Sequence, residues 1–192
     1  MRERVLQLFT VAWLELGAGA AAAMSVESVD IARSAAAYTV AFDVVIAAPV
    51  ADVHRLLTDY REWSRLSGSV QDTKLVAVPS ADVQRIKVTL RSCVVADMFC
   101  KIIVQVKDLE ALADGAGLMT KFVPGQGDFE SGSESWRLVA GGESATRLRY
   151  QATFVPAFDV PPFIGPWLLK RALRRELIDA AQNLERVAAQ AP

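Results

Sequence analysis

The chain has 192 residues, of which 52% are hydrophobic and 22% charged, which is enough for one domain with a sizeable apolar core. Its formal net charge is −1. A chain so close to neutral has no overall basic field for nucleic acid or for an anionic membrane, so any electrostatic contact with a partner must be local.

The N-terminal residues have the layout of a secretory signal sequence. Arg2 and Arg4 precede an apolar stretch, and an alanine-rich segment follows it and ends at Ala23. A short basic region, an apolar region and small residues before a cleavage point are typical of a signal peptide. We therefore predict a signal peptide over residues 1–23 and an exported, periplasmic protein. Two alternatives stay open, namely a retained membrane anchor and a translation start at Met24.

The next segment is expected to lead into a strand and two short helices. Residues 24–36 are small and polar without a sustained period, which indicates a linker before a domain over 37–190. Apolar side chains then alternate along the chain and predict a strand with one buried face, formed by Tyr38, Val40, Phe42, Val44 and Ile46. Pro49 suits the start of a helix, and a second short helix is expected over 61–66.

In the remainder of the chain, the spacing of apolar residues changes from a period of two, typical of strands, to the period of a helix. We predict six further strands near 70–78, 83–93, 99–108, 117–124, 132–140 and 145–156. Leucines and alanines at helical spacing then predict one long helix from Pro166 to Ala188. The fold class is therefore α+β, with a seven-stranded antiparallel sheet, two short helices after the first strand, and a long C-terminal helix that must cover one sheet face.

The two cysteines of the chain lie in adjacent predicted strands. A hairpin centred on Ala96 and Asp97 places Cys93 directly opposite Cys100, at a separation that suits a disulfide. We predict this disulfide, and the alternative is a pair of buried thiols. Two cysteines without a neighbouring histidine supply too few ligands for zinc, so no metal site is expected.

Three segments resemble a known superfamily. They are "AAPVADVHRLLTDYREW", "VPGQGDFESGSESWRL" and "PAFDVPPFIGPWLLKRALRREL", and they are similar to the START-like, polyketide cyclase/dehydrase and coenzyme Q-binding (SRPBCC) superfamily, in an exported bacterial branch. The resemblance covers about residues 37–190. It implies a helix-grip fold, in which the sheet curls around the long helix and leaves an apolar cavity. Members of the superfamily bind lipids, sterols, quinones or polyketides, and some catalyse cyclisation or dehydration.

Side-chain size and strand phase predict the wall of this cavity. Alanines at 172, 180 and 181 leave space beside the helix. We expect the lining to be formed by Phe42, Trp63, Leu66, Ile86, Val88, Ile102, Val104, Phe122, Trp136, Tyr150, Phe154 and Leu173. The alternative for each residue is that it packs in a filled core. We expect the rim to be formed by Phe158, Phe163 and Trp167.

The sequence offers few groups for catalysis. His54 is the one histidine, and it stands where the superfamily usually has an aromatic residue. Neither a nucleophile elbow nor a P-loop is present. We therefore expect a binder of an apolar small molecule, such as a lipid or isoprenoid quinone, without catalysis or a cofactor. The alternative is a cyclase/dehydratase-type enzyme that uses Tyr150, Asp128 or His54. Two or more ionisable groups that converge on the cavity favour the enzyme.

The start of the long helix carries a basic, aromatic surface. Trp167 falls among Lys170, Arg171 and Arg174 on the helical wheel, a combination that suits peripheral contact with a membrane. The alternative is that Trp167 packs beneath the preceding loop. A membrane- or protein-docking module is thus a further functional alternative, and we otherwise expect a monomer that binds no nucleic acid.

Overall fold

A computed structural model describes residues 23–94, 99–160 and 165–190 of the chain. Its strands are β1 (Ser25–Ser34), β2 (Ala37–Ile46), β3 (Val70–Ser80), β4 (Val83–Val94), β5 (Phe99–Ala111), β6 (Gly117–Phe122), β7 (Phe129–Ala140) and β8 (Thr146–Pro156). The helices are α1 (Val50–Thr58), α2 (Trp63–Leu66) and α3 (Gly165–Ala188), and a single 3-10 turn, Tyr60–Glu62, joins α1 to α2.

All eight strands form one antiparallel sheet in the order β1-β2-β8-β7-β6-β5-β4-β3. The sheet curves around α3, and α1 and α2 lie against it. The predicted helix-grip fold is confirmed. The core between helices and sheet includes the inward side chains that the alternation of β2 predicted, and all five are buried.

The prediction of a linker over residues 24–36 is wrong, because most of that segment is β1. Its pairing with β2 runs from Ser34 opposite Ala37 to Ser25 opposite Val45. As an edge strand, β1 leaves most of its side chains in solvent, so its sequence lacks a clear apolar alternation. The sheet consequently has eight strands where seven were expected.

The two halves of α3 are held differently. Its fully buried side chains lie in the C-terminal half and are Ala181, Leu184, Val187 and Ala188. In the same half, the Glu185 carboxylate accepts hydrogen bonds from the backbone N–H groups of Ala47, at 2.8 Å, and Met24, at 3.3 Å. In the N-terminal half, Leu169 and Leu173 are only partly buried. That half therefore lies over space that the core does not fill.

The signal peptide over residues 1–23 falls almost wholly outside the described residues and stays a prediction. Within the part of the chain that the structure describes, none of the helices combines the length and the apolar character that a membrane crossing requires.

The predicted disulfide between Cys93 and Cys100 is confirmed. The two residues face each other in the register of β4 and β5, and their sulfur atoms are bonded. The turn between these strands, residues 95–98, lies outside the described residues.

Replacing Cys93 and Cys100 together by alanine should lower the free energy of unfolding by about 2–3 kcal/mol, because the bond no longer restricts the unfolded chain. Urea unfolding of the wild type with and without a thiol reductant measures this. The double variant is the control and should not respond to reductant. An identical urea midpoint for the oxidised and reduced wild type would contradict the expected contribution.

Candidate functional site: a cavity with a buried ion pair

A cavity of about 510 Å³ lies between the N-terminal half of α3 and the concave face of the sheet. Leu169, Ala172 and Leu173 of α3 form one side of it. Several exposed charged residues also border the cavity and mark its opening to solvent, namely Arg91, Arg175 and Asp179. A concave, largely apolar space of this size is typical of sites for small ligands.

Aromatic rings form a continuous part of the cavity wall. Phe122 and Phe129 stack with their ring centroids 4.6 Å apart. The edge-to-face partner of Phe129 is Phe154 at 5.5 Å, and Phe158 contacts it at 6.4 Å. All four residues line the cavity. Because such rings hold one another in fixed positions, this part of the wall has a defined shape.

One polar cluster is set into the wall and is centred on Glu134. Lys107 Nζ and the Thr120 hydroxyl each donate to Glu134 Oε2 at 2.7 Å. The Tyr150 hydroxyl donates to Glu134 Oε1 at 3.2 Å. Lys107 is 4% exposed and Glu134 is 8% exposed, so this is a buried ion pair. Glu134 and Tyr150 both line the cavity.

Aromatic rings surround the ammonium group of Lys107. Its Nζ atom lies 5.1 Å from the ring centroid of Trp63, 5.6 Å from that of Phe122 and 5.9 Å from that of Trp136. Attraction between a cation and aromatic rings, together with the Glu134 carboxylate, offsets part of the cost of removing the ammonium from water.

Tyr150 is held in its neutral, donating form. Burial raises the pKa of its phenol well above the ordinary value, and the negative charge of Glu134 and the hydrogen bond to it act in the same direction. The hydroxyl proton is therefore directed at Glu134 across the whole physiological pH range.

Side-chain hydrogen bonds tie the N-terminal half of α3 to the mouth of the cavity. The Glu176 carboxylate accepts hydrogen bonds from the hydroxyl groups of Ser67 and Ser69, in the connection between α2 and β3. Arg175 Nη2 donates to the Cys93 carbonyl oxygen at 3.3 Å. These contacts join the helix to the α2–β3 connection and to β4 beside the opening.

The structure divides the predicted lining residues into three groups. Those that line the cavity are Phe122, Tyr150, Phe154 and Leu173. Those that pack in the adjacent core without lining the cavity are Phe42, Trp63, Leu66, Ile86, Val88 and Trp136. Ile102 and Val104 lie on the outer face of the sheet.

The outward position of Ile102 and Val104 corrects the predicted phase of β5. Ile102 is 54% exposed, whereas Ile103 and Gln105 line the cavity. In an all-apolar run such as Ile102 to Val104, composition gives no indication of which residues point inward.

One of the three residues predicted for the cavity rim borders the cavity in the structure. Phe158 lines the cavity. Trp167 does not, and it is 60% exposed on the surface of α3. Phe163 lies outside the described residues.

The residues proposed for the enzymatic alternative are not assembled as a site. The Asp128 carboxylate accepts a hydrogen bond from the backbone N–H of Val104 at 2.7 Å, which is a structural role in the connection before β7. His54 lies half-buried on α1 and does not border the cavity. Of the three, only Tyr150 lines the cavity.

Glu134 and Lys107 are not among the predicted site residues, although the sequence contains a signal for Glu134. Trp136 is predicted to line the cavity, and a period of two places Glu134 on the same face of the strand. Lys107 could not be inferred in this way, because the predicted phase of β5, with Ile102 and Val104 inward, places Lys107 on the outer face. A charged residue on the inward face of a predicted strand therefore indicates the site.

Lys107→Met should lower the free energy of unfolding by about 3–5 kcal/mol, since it leaves the Glu134 carboxylate buried without a counter-charge. The double variant Lys107→Met/Glu134→Leu should recover most of that loss. Arg85→Met is a matched control, because it removes the cationic partner of Asp108, which follows Lys107 on β5, and this pair is only half-buried. It should cost about 1 kcal/mol or less in urea unfolding. Equal losses for Lys107→Met and Arg85→Met would contradict the argument.

Comparison with solved structures shows the same fold in several proteins. The Zhui aromatase/cyclase of a Streptomyces species is 14% identical with a TM-score of 0.66, and the match covers 80% of this chain and 94% of that one. A START superfamily protein from Mycobacterium smegmatis is 17% identical with a TM-score of 0.62, over 79% and 97% of the two chains. Human STARD10 is 10% identical with a TM-score of 0.57, over 85% and 74%.

Sequence comparison defines the family. No curated protein matches the chain. Residues 37–189, however, match the sequence profile of a family described as "Polyketide cyclase / dehydrase and lipid transport". This range spans β2 to the end of α3 and contains every residue of the Glu134 cluster. The chain therefore belongs to the polyketide cyclase/dehydrase and lipid transport family.

Proposed function

We propose that the protein binds an apolar small molecule, such as a lipid or an isoprenoid quinone, in the cavity beneath α3, and transports or sequesters it without converting it. The observation that carries this proposal is a cavity with a wall of aromatic and aliphatic side chains, in which the Lys107 ammonium and the Tyr150 hydroxyl are already paired with Glu134. Apolar contact then supplies the affinity, and the polar cluster orients the ligand.

A cyclase/dehydratase-type enzyme is the second candidate. It is favoured by the convergence of two ionisable groups, Glu134 and Tyr150, on one cavity. Acid–base catalysis requires a group that exchanges a proton with the substrate. The Tyr150 proton is directed at Glu134, and the hydrogen bonds of Glu134 hold it in an ion pair. The arrangement thus supports orientation of a ligand more directly than proton transfer.

Native mass spectrometry of protein from its own host tests the binding proposal. We expect a co-purifying apolar molecule, and a melting temperature that rises with the concentration of added lipid or quinone. Leu173→Trp should weaken binding about tenfold or more, because the larger ring occupies cavity space. Val139→Trp is the control, since Val139 is exposed on the outer face of the sheet.

Two results would overturn the binding proposal. One is protein that carries no small molecule and shows no thermal shift with any lipid, sterol or quinone. The other is recovery of an added ligand in a dehydrated or cyclised form, which would establish the enzyme instead.

We also propose that the protein is exported to the periplasm and is a monomer. The Cys93–Cys100 disulfide supports export, because disulfides persist in oxidising compartments. The same mass spectrum reports both points. A mass that includes residues 1–23 would contradict cleavage of a signal peptide, and a dimer would contradict the monomer.

Peripheral membrane contact through the start of α3 is proposed as the route of ligand exchange. It is supported by the exposure of Trp167, whose ring lies 5.7 Å from the Arg171 guanidinium carbon. This exposure favours a surface role for Trp167 over packing beneath the preceding loop. Lys170 and Arg174 add positive charge on the same helix, which suits an anionic membrane surface.

Replacing Lys170, Arg171 and Arg174 together by glutamate should abolish co-sedimentation with anionic liposomes, and added salt should weaken the binding of the wild type. The control carries the same charge change on exposed strand residues, in the triple variant Lys74→Glu/Lys87→Glu/Lys121→Glu. Equal binding of the wild type to anionic and zwitterionic liposomes would contradict the proposed contact.

A further inference from the structure

We infer that the ligand carries a hydroxyl group and that Glu134 accepts the hydrogen bond of this hydroxyl inside the cavity. The inference rests on the proposed binding function and specifies the head group that the site selects. It is carried by the hydrogen-bonding capacity left at Glu134, by the charge balance of the cluster and by the direction of the neighbouring donors.

Glu134 lines the cavity, and its carboxylate has capacity for a further hydrogen-bond donor. An ionised carboxylate offers about four acceptor positions, two on each oxygen. Lys107 and Thr120 donate to Oε2, and Tyr150 donates to Oε1. The second position of Oε1 thus has room for one more donor. Tyr150, which donates to Oε1, lines the cavity, and so does Glu134. We therefore place the free position of Oε1 toward the cavity.

The charge balance of the cluster selects a neutral head group. Lys107 and Glu134 neutralise each other in a buried position. A ligand carboxylate would place a second negative charge beside Glu134. A ligand ammonium would leave one positive charge without a partner. Either charged head group adds an uncompensated charge to a buried site. A neutral hydroxyl avoids the free-energy cost of removing that charge from water.

The neighbouring donors select a hydroxyl over an ether or a ketone. The Tyr150 proton is engaged with Glu134, and so is the ammonium of Lys107, which the rings of Trp63, Phe122 and Trp136 otherwise surround. An acceptor-only head group therefore meets a carboxylate oxygen instead of a donor. Gln105 also lines the cavity, but its amide both donates and accepts, so it does not discriminate.

A ligand series with one alkyl chain tests the inference on the wild-type protein. The series is dodecanol, dodecyl methyl ether, dodecanoate and dodecylamine, and the readout is displacement of the neutral fluorophore N-phenylnaphthylamine. We expect dodecanol to bind about tenfold or more tightly than each of the others, because only it donates a hydrogen bond to a charged acceptor without adding charge.

The outcomes separate this inference from the proposed function. If the fluorophore and all four ligands fail to bind, the proposed binding function itself is wrong. If all four displace the fluorophore equally, the binding function stands and the hydroxyl inference is overturned. Tighter binding of dodecanoate or dodecylamine than of dodecanol also overturns it.

A double variant assigns the selectivity to the cluster. Lys107→Met/Glu134→Leu replaces both partners by apolar side chains and should bind alcohol and ether within about a factor of two of each other. The matched control is Arg85→Met/Asp108→Leu, which removes an ion pair between β4 and the opposite face of β5 and should keep the wild-type preference. A preference that persists in the Lys107/Glu134 variant would overturn the role of Glu134. If that variant does not fold, Tyr150→Phe provides a second test with the opposite expected result. It frees one position on Oε1 and should preserve or increase the preference for alcohol, and loss of the preference would contradict the inference.

Discussion

A single helix, α3, has to cover the concave face of an eight-stranded sheet, and it packs closely over only part of its length. Its buried side chains, from Ala181 to Ala188, complete the core at one end of the sheet. At the other end the helix presents Leu169, Ala172 and Leu173 across a gap. Because protein interiors are otherwise close-packed, a gap of about 510 Å³ is a feature that the rest of the core must support. The aromatic wall and the polar cluster border this gap.

The buried cluster is better understood as a device for specificity than as a source of stability. A desolvated ion pair is often no more stabilising than the apolar residues that could replace it. Glu134 nevertheless connects three strands, because Lys107, Thr120 and Tyr150 lie on β5, β6 and β8, on both sides of β7. The cluster thus fixes the register of the sheet at the point where the cavity needs a defined wall. It also supplies the polar group in an otherwise aromatic region of that wall.

The periodicity of apolar residues in the sequence was sufficient to predict most of the fold. It was insufficient to predict most residues of the site. Alternation along β2 and β8 and the helical spacing of α3 predicted these elements, because each has one solvent-exposed face and one buried face. β1 was missed because an edge strand with few buried side chains does not alternate. β5 was identified with the wrong phase at Ile102 and Val104, where apolar residues occupy both faces.

The site itself depends on contacts between distant segments, which a local pattern does not contain. Glu134 and Lys107 are 27 residues apart in the chain, and only the pairing of β5, β6 and β7 brings them together. The position of Glu134 on the inward face could still have been inferred from Trp136. The predicted lining is apolar and does not include Glu134, which lies between two serines. The disulfide was predictable because its register depends on one hairpin alone.

The unequal attachment of α3 bears on how a ligand reaches the cavity. Glu185 binds backbone amides in the buried half of the helix, whereas Glu176 binds only the hydroxyl groups of Ser67 and Ser69 in the half above the cavity. Side-chain contacts at a partly exposed position exchange with water at low cost, and contacts within a packed core do not. We therefore expect any opening of the cavity to involve the N-terminal half of α3, while the half from Ala181 onward stays packed. Such an opening breaks the hydrogen bonds of Glu176 and the bond from Arg175 to the Cys93 carbonyl oxygen, and it requires no unfolding of the core.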